Sequence, residues 1–93
     1  MTIKILDNWF VVGAKIIYND DDDFYIHENL TSFPEAVAKF NDDCRNIKHI
    51  ANGYAWENIQ LKEIALYHII QFHSTDCEWV KLTQFEYVEE VIK

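Results

Sequence analysis

The sequence predicts an α+β domain: an antiparallel β-sheet of four or five strands, built from hairpins, with two or three helices packed on one face. Three observations carry that expectation. The acidic run Asp20–Asp23 sits between the strand-like segments Ile16-Ile17-Tyr18 and Phe24-Tyr25-Ile26. Two segments, Ser32-Phe33-Pro34-Glu35 and Thr83-Gln84-Phe85-Glu86, have the form of helix capping boxes. The chain has 93 residues, 49% of them hydrophobic and 15% aromatic, which suits one domain, residues 1–93, with a real but small core.

Taken in order, Ile3–Leu6 and Trp9–Val12 are β-rich and separated by Asp7-Asn8, as one bent strand or a strand after a short lead-in. Gly13 marks a bulge or a close approach. Lys15–Tyr18 and Phe24–His27 form the arms around a solvated aspartate tip, because four adjacent carboxylates repel one another and Asp is poor in helices and strands. Ser32 then caps a helix with Pro34 in its first turn, where a missing N–H costs nothing. Phe33, Ala36, Val37 and Phe40 share one face, extendable through Cys44, Ile47 and Ala51. The helix is expected to end or kink near Asp42-Asp43, where two acids oppose its dipole. Asn52-Gly53 reads as a stop signal or a tight hairpin turn.

Residues 58–72 fit both a helical face (Leu61, Ile64, Ala65, His68, Phe72) and an alternating strand (Leu66, His68, Ile70, Phe72). The turn-like Ser74-Thr75-Asp76 and the strand-like Cys77–Leu82 favour a hairpin. From Thr83 onward, the second capping box with Phe85, Val88 and Ile92 on one face predicts a terminal helix of about three turns. A shift of 52 residues places Leu30-Thr31-Ser32-Phe33 on Leu82-Thr83-Gln84-Phe85, so both halves read as a hairpin followed by a capped helix.

Sixteen acids against eight bases give a formal charge of −8. That balance disfavours direct contact with nucleic acid or an anionic membrane, both of which need positive surface. Two cysteines, no apolar run long enough to span a bilayer and no signal-peptide pattern at the N-terminus predict a cytoplasmic protein with free thiols. No cofactor is expected. Gly-x-Ser-x-Gly and phosphate-cradling glycine loops are missing, and His27, His49, His68 and His73 are scattered, so an enzyme is not expected.

Cys44 and His49, with His73 and Cys77, have spacings that zinc would accept if the segments met. The tight Cys-x-x-Cys knuckles of structural zinc are missing, and packed cysteines are the commoner outcome, so no metal site is assigned. Asp20–Asp23 lacks the alternate spacing and the glycine of a calcium loop. Aromatics such as Trp9, Phe10 and Trp79 read as core, with Tyr54 and Trp56 as possible exposed anchors.

Acidity then becomes the functional signal. Duplex DNA as long as a domain of this size, roughly 30 Å, shows about 18 charges. A protein mimic must gather its acids on one face and keep lysines out. The candidate partner-binding acids are Asp20, Asp21, Asp22, Asp23, Glu28, Asp42, Asp43, Asp76, Glu78, Glu86, Glu89 and Glu90. In size, acidity and the Asp20–Asp23 run, the chain resembles the DNA-mimic counter-defence proteins of bacteriophages, including anti-restriction and anti-CRISPR inhibitors. The resemblance implies a non-enzymatic inhibitor, a homodimer, and a basic DNA-binding partner such as a restriction enzyme, nucleoid protein or CRISPR effector. The competing reading is a structural or assembly protein with an apolar interface, its acids serving only solubility.

Overall fold

The central strand of the fold is apolar on both of its faces. In the computed structural model, which describes residues 4–73 and 76–88, β1 (Asp7–Tyr18) lies between β2 (Asp21–Leu30) and β3 (Gln60–Gln71). β4 (Cys77–Glu86) pairs with the far side of β3, so the strand order is β2-β1-β3-β4 and every pair is antiparallel. Between β2 and β3 the chain forms α1 (Phe33–Arg45) and α2 (Ile47–Ala55), both laid on one face. The α+β class, the four strands and the one-sided helices agree with the sequence.

Side chains alternate along a strand, so β1 divides into two sets. Val12, Ala14 and Ile16 point towards the helices and meet Leu61, Ile64 and Leu66 of β3 with Ala36, Phe40, Ile47 and Ala51 of the helices. Ile16 and Ile64 are fully buried there, each removal from water stabilising the fold by about 1.5–3 kcal/mol. Bulges interrupt the register in all three strand pairs, at His27 of β2, Lys62 of β3 and Leu82 of β4. Each extra residue shifts the phase of its strand and adds twist.

The aspartate run is placed differently from expectation. The reversal consists of Asn19 and Asp20 alone, with φ of 51° and 65°, the two-residue turn whose twist matches antiparallel strands. Asp21, Asp22 and Asp23 are already paired in β2, opposite Tyr18, Ile17 and Ile16. Edge position explains their tolerance: one flank of β2 faces water, and the β1 partners fix the backbone.

Ser32 caps α1 with extended backbone and Pro34 in the first turn, although its hydroxyl makes no capping hydrogen bond. The helix passes the expected stop at Asp42-Asp43 and runs to Arg45. Asp42 is paired with Arg45 at 3.9 Å and Asp43 with Lys39 at 3.1 Å, which offsets their conflict with the dipole. Asn46 then separates two helices, its side-chain amide donating to the Asp42 carbonyl at 3.0 Å. Asn52-Gly53 is neither stop nor hairpin but lies inside α2. The stop is Asn58 in the left-handed region, φ 61°. The Ile59 N–H donates to the Tyr54 carbonyl at 3.0 Å and the Asn58 N–H to that of Ala55 at 3.1 Å, the paired bonds of a Schellman ending.

The second capping box is overturned. Thr83–Glu86 continues β4, opposite Leu66, Ala65, Ile64 and Glu63, and Tyr87 and Val88 follow without regular structure. Pairing with β3 satisfies backbone groups that a local cap would otherwise have served. The proposed two-fold repeat of hairpin plus helix therefore fails over the described residues; Ile92 lies outside them.

The two sheet edges differ. β2 is guarded by Asp21, Asp22 and Asp23. All ten residues of β4 are exposed, among them Trp79, Val80, Leu82 and Phe85.

Candidate functional site

The face of the sheet opposite the helices is the largest departure from an ordinary wetted surface. Val11, Ala65 and Ile69 are buried to within 1%, yet they do not belong to the helix-side cluster. The strand register places them on the same face as the aromatic side chains Phe24, Tyr67 and Trp79. Phe24 of β2, Tyr67 of β3 and Trp79 of β4 form a triangle of edge-to-face contacts, with ring centroids 5.4, 5.6 and 5.9 Å apart. Such pairs add about 0.5–1.5 kcal/mol each beyond area burial.

Phe24 reaches its partners by crossing β1 at Gly13. A Cβ built there would lie 2.3 Å from Phe24 Cζ and 2.6 Å from the Tyr25 carbonyl oxygen, so only glycine admits the crossing. Of the two sequence readings of Gly13, the close approach holds; the bulge beside it has its extra residue, His27, on β2. Ile26 and Trp79 on this face are 48% and 46% exposed.

Charges rim this surface in compensated pairs. Lys15 and Lys62 both reach Asp22, at 3.7 and 3.5 Å, and Lys81 donates to Glu63 at 3.0 Å while lying 5.8 Å from the Tyr67 ring centroid. The hydrogen bond to Glu63 raises the pKa of Lys81 against a smaller opposing effect of burial. Lys15, Asp22, Phe24, Tyr67, Trp79 and Lys81 line a shallow cleft of about 520 Å³. Three of the eight bases in the chain thus stand on one face.

A polar cluster ties the edge strand to the helices on the other side. His27, the bulge residue of β2, donates from Nδ1 to Asp43 Oδ2 at 3.1 Å, and the Tyr54 hydroxyl meets Nε2 at 2.9 Å. Asp43 is 5% exposed and also binds Lys39, whose pKa rises chiefly through that hydrogen bond. Burial raises the pKa of Tyr54. The Asp-His-Tyr chain joins β2, α1 and α2, and its geometry is that of a structural lock, with each ring nitrogen of His27 engaged.

The expected partner-binding acids do not assemble on one face. Asp20, Asp21, Asp22 and Asp23 stand at one end of the sheet, which Glu86 shares because β4 finishes opposite Glu63 near the start of β3. Asp76 and Glu78 stand at the opposite end, where β4 begins. Glu28 faces the helices and lies 3.9 Å from Lys39; Asp42 is on α1, and Asp43 is turned inward. Asp22 is shared by two lysines. Glu89 and Glu90 lie outside the described residues.

Of the residues considered for zinc, Cys44 is half-buried on α1, where burial raises its thiol pKa, and Cys77 is exposed at the start of β4. Among the described residues, no group of three or more His, Cys, Asp and Glu is placed to hold a metal ion. Of the two suspected anchors, Trp56 is 90% exposed, whereas Tyr54 is held by His27. The sequence reading missed Phe24 and Tyr67 as a paired surface. The available signal was that Trp9–Ala14 and Ile64–Ile70 are apolar at odd and even positions alike, the pattern of strands covered on both faces. The described helices include none long and apolar enough to cross a membrane. The chain shows no match to a protein family, to a curated protein or to a solved structure.

Proposed function

We propose that this protein is a non-enzymatic interaction module that works through the open face of its sheet. One observation carries the reading: Val11, Ala65 and Ile69 are buried on the same face of the sheet as Phe24, Tyr67 and Trp79, and no described helix lies over that face. An antiparallel sheet that simply faces water carries polar residues there. Contiguous apolar patches of this kind mark protein–protein contact. In this reading the remaining acids maintain solubility and repel unwanted partners.

A second reading, the acidic DNA mimic that inhibits a DNA-binding protein, is favoured by a separate observation. Asp20, Asp21 and Asp23 make no ion pair among the described residues and share one end of a body 59 Å long with Glu86. Against it, the acids divide between opposite ends of the sheet and several are neutralised by lysines.

Affinity capture of bacterial proteins at graded salt, with three forms of the chain, separates the two. Under the interaction-module reading, the partner is retained at high salt and lost with Ile26→Lys. Under the mimic reading, it is released by moderate salt, displaced by duplex DNA, and lost when Asp20, Asp21 and Asp23 are all changed to Asn. A partner bound equally by all three forms would count against both.

A further inference from the structure

We infer that the occupant of the open face is a second copy of this chain, the two sheets packing face to face about a two-fold axis with the helices outside; this rests on the reading of that face as the working surface. Three features select a second copy over an unlike partner.

The first is charge. A chain of net −8 repels its own copy wherever unpaired acids meet. On the open face, Lys15, Lys62 and Lys81 are set against Asp22, Glu63 and its cross-strand neighbour Glu86, so the local charge is compensated. A two-fold interface brings one patch against itself. It therefore needs both signs within the patch, and this face has them.

The second is size. Four strands spaced about 4.8 Å apart, with about ten residues each rising about 3.3 Å, present roughly 600 Å² in projection. Protruding side chains increase the accessible area beyond that projection. The result matches the roughly 800 Å² per partner of a stable interface.

The third is layering. The protein is only 18 Å thick along its shortest axis, the depth of one sheet with one helical layer. Face-to-face sheets pack about 10 Å apart and interdigitate their inner side chains. Partly exposed Ile26 and Trp79 are large enough to project into such a space, while Phe24 lies over Gly13, which has no side chain of its own. Ridges beside lower ground on one patch allow it to mesh with its own copy.

Sedimentation equilibrium of the full chain at physiological salt tests the inference, together with Ile26→Lys and Trp79→Ser. Ile26 lies on β2, remote from the exposed β4 edge, so its substitution leaves edge pairing intact. The expected result is a dimer for the parent chain. Its dissociation constant rises at least tenfold in each variant, while circular dichroism and thermal melting confirm that both remain folded. A parent chain that is monomeric up to millimolar concentration overturns the inference. So does a dimer that survives Ile26→Lys, which would place the contact at the β4 edge. The capture experiment with the same Ile26→Lys variant separates the two ideas: a monomer that loses an unlike partner on that substitution retains the open-face reading and loses only the second copy.

Discussion

Phe24 lies directly over Gly13 of the neighbouring strand, its ring filling the place where any other residue would carry a side chain. That contact lets an aromatic residue on one edge strand reach Tyr67 across β1 and Trp79 on the opposite edge strand. Gly13→Ala forces a carbon against the ring and the Tyr25 carbonyl, which overpacking data price at about 1–3 kcal/mol. Urea denaturation should show that loss. In a Phe24→Ala background, which carries its own loss of ring contacts, the Gly13→Ala penalty should be recovered only in part, because the Tyr25 carbonyl is backbone and cannot be trimmed. Full recovery would locate the strain in the ring alone.

Asp43 and His27 form the main polar tie between edge strand β2 and the helices. Asp43→Ala leaves the half-buried His27 and Lys39 without their shared acceptor, at an expected cost of about 2–3 kcal/mol. Tyr54→Phe removes one hydroxyl from the same chain and should cost about 1 kcal/mol. The order of the two losses, read from denaturant midpoints at constant slope, checks that Asp43 is the hub. Equal losses would assign that part to the His27–Tyr54 bond.

Asp20 occupies a left-handed turn position beside three further aspartates. Asp20→Gly supplies the residue this turn prefers and removes one like charge, so stability should rise by about 0.5–1 kcal/mol. Asp20→Ala keeps the unfavourable φ without the tolerance of Asp and should lower it. Thermal melting of the pair distinguishes a conformational effect, opposite in sign for the two variants, from a charge effect common to both.

Alkaline pH should weaken the fold progressively. The hydrogen bond to Asp43 raises the pKa of Lys39 and that to Glu63 raises Lys81; burial raises Tyr54 and Cys44. In all four cases the folded state holds its proton more tightly than the unfolded chain. Their stabilising contribution is complete below the unfolded pKa values and is lost as pH rises through the folded ones. Denaturation midpoints should hold up to about pH 8 and then fall, Cys44 contributing first and the lysines last. Cys44→Ala should remove the earliest part of that fall. A rise in stability over the same range would contradict the sign for the group as a whole.

Much of the sheet was legible from local pattern. Ile16–Tyr18 and Phe24–Ile26 announced the first hairpin, Gly13 announced a close approach without naming its partner, and Ser32-Phe33-Pro34 fixed the start of α1 to the residue. The failures share a cause. Thr83-Gln84-Phe85-Glu86 satisfies a capping formula, but the backbone of β3 offers those residues a full ladder of partners, and tertiary pairing outweighs a single cap. Asp42-Asp43 looked like a helix end because Lys39 and His27, four and sixteen residues away, cannot be read as neighbours along the chain. The acids were countable, but their division between the two ends of the sheet depends on strand order, which composition does not encode. The open face was half legible: apolar residues at odd and even positions alike in the middle of β1 and β3 signalled double coverage, while the reach of Phe24 over Gly13 needed the register.

The unlike edges of the sheet bear on how the protein survives crowding. A strand added to β4 would meet a bare ladder of backbone groups, whereas one approaching β2 would meet Asp21, Asp22 and Asp23. Growth in the hydrogen-bonding direction can therefore start on only one side. Two chains joined through β4 present their acidic strands outward on both flanks, so the joined sheet is terminated. An accidental edge contact ends at a pair instead of propagating as a fibre.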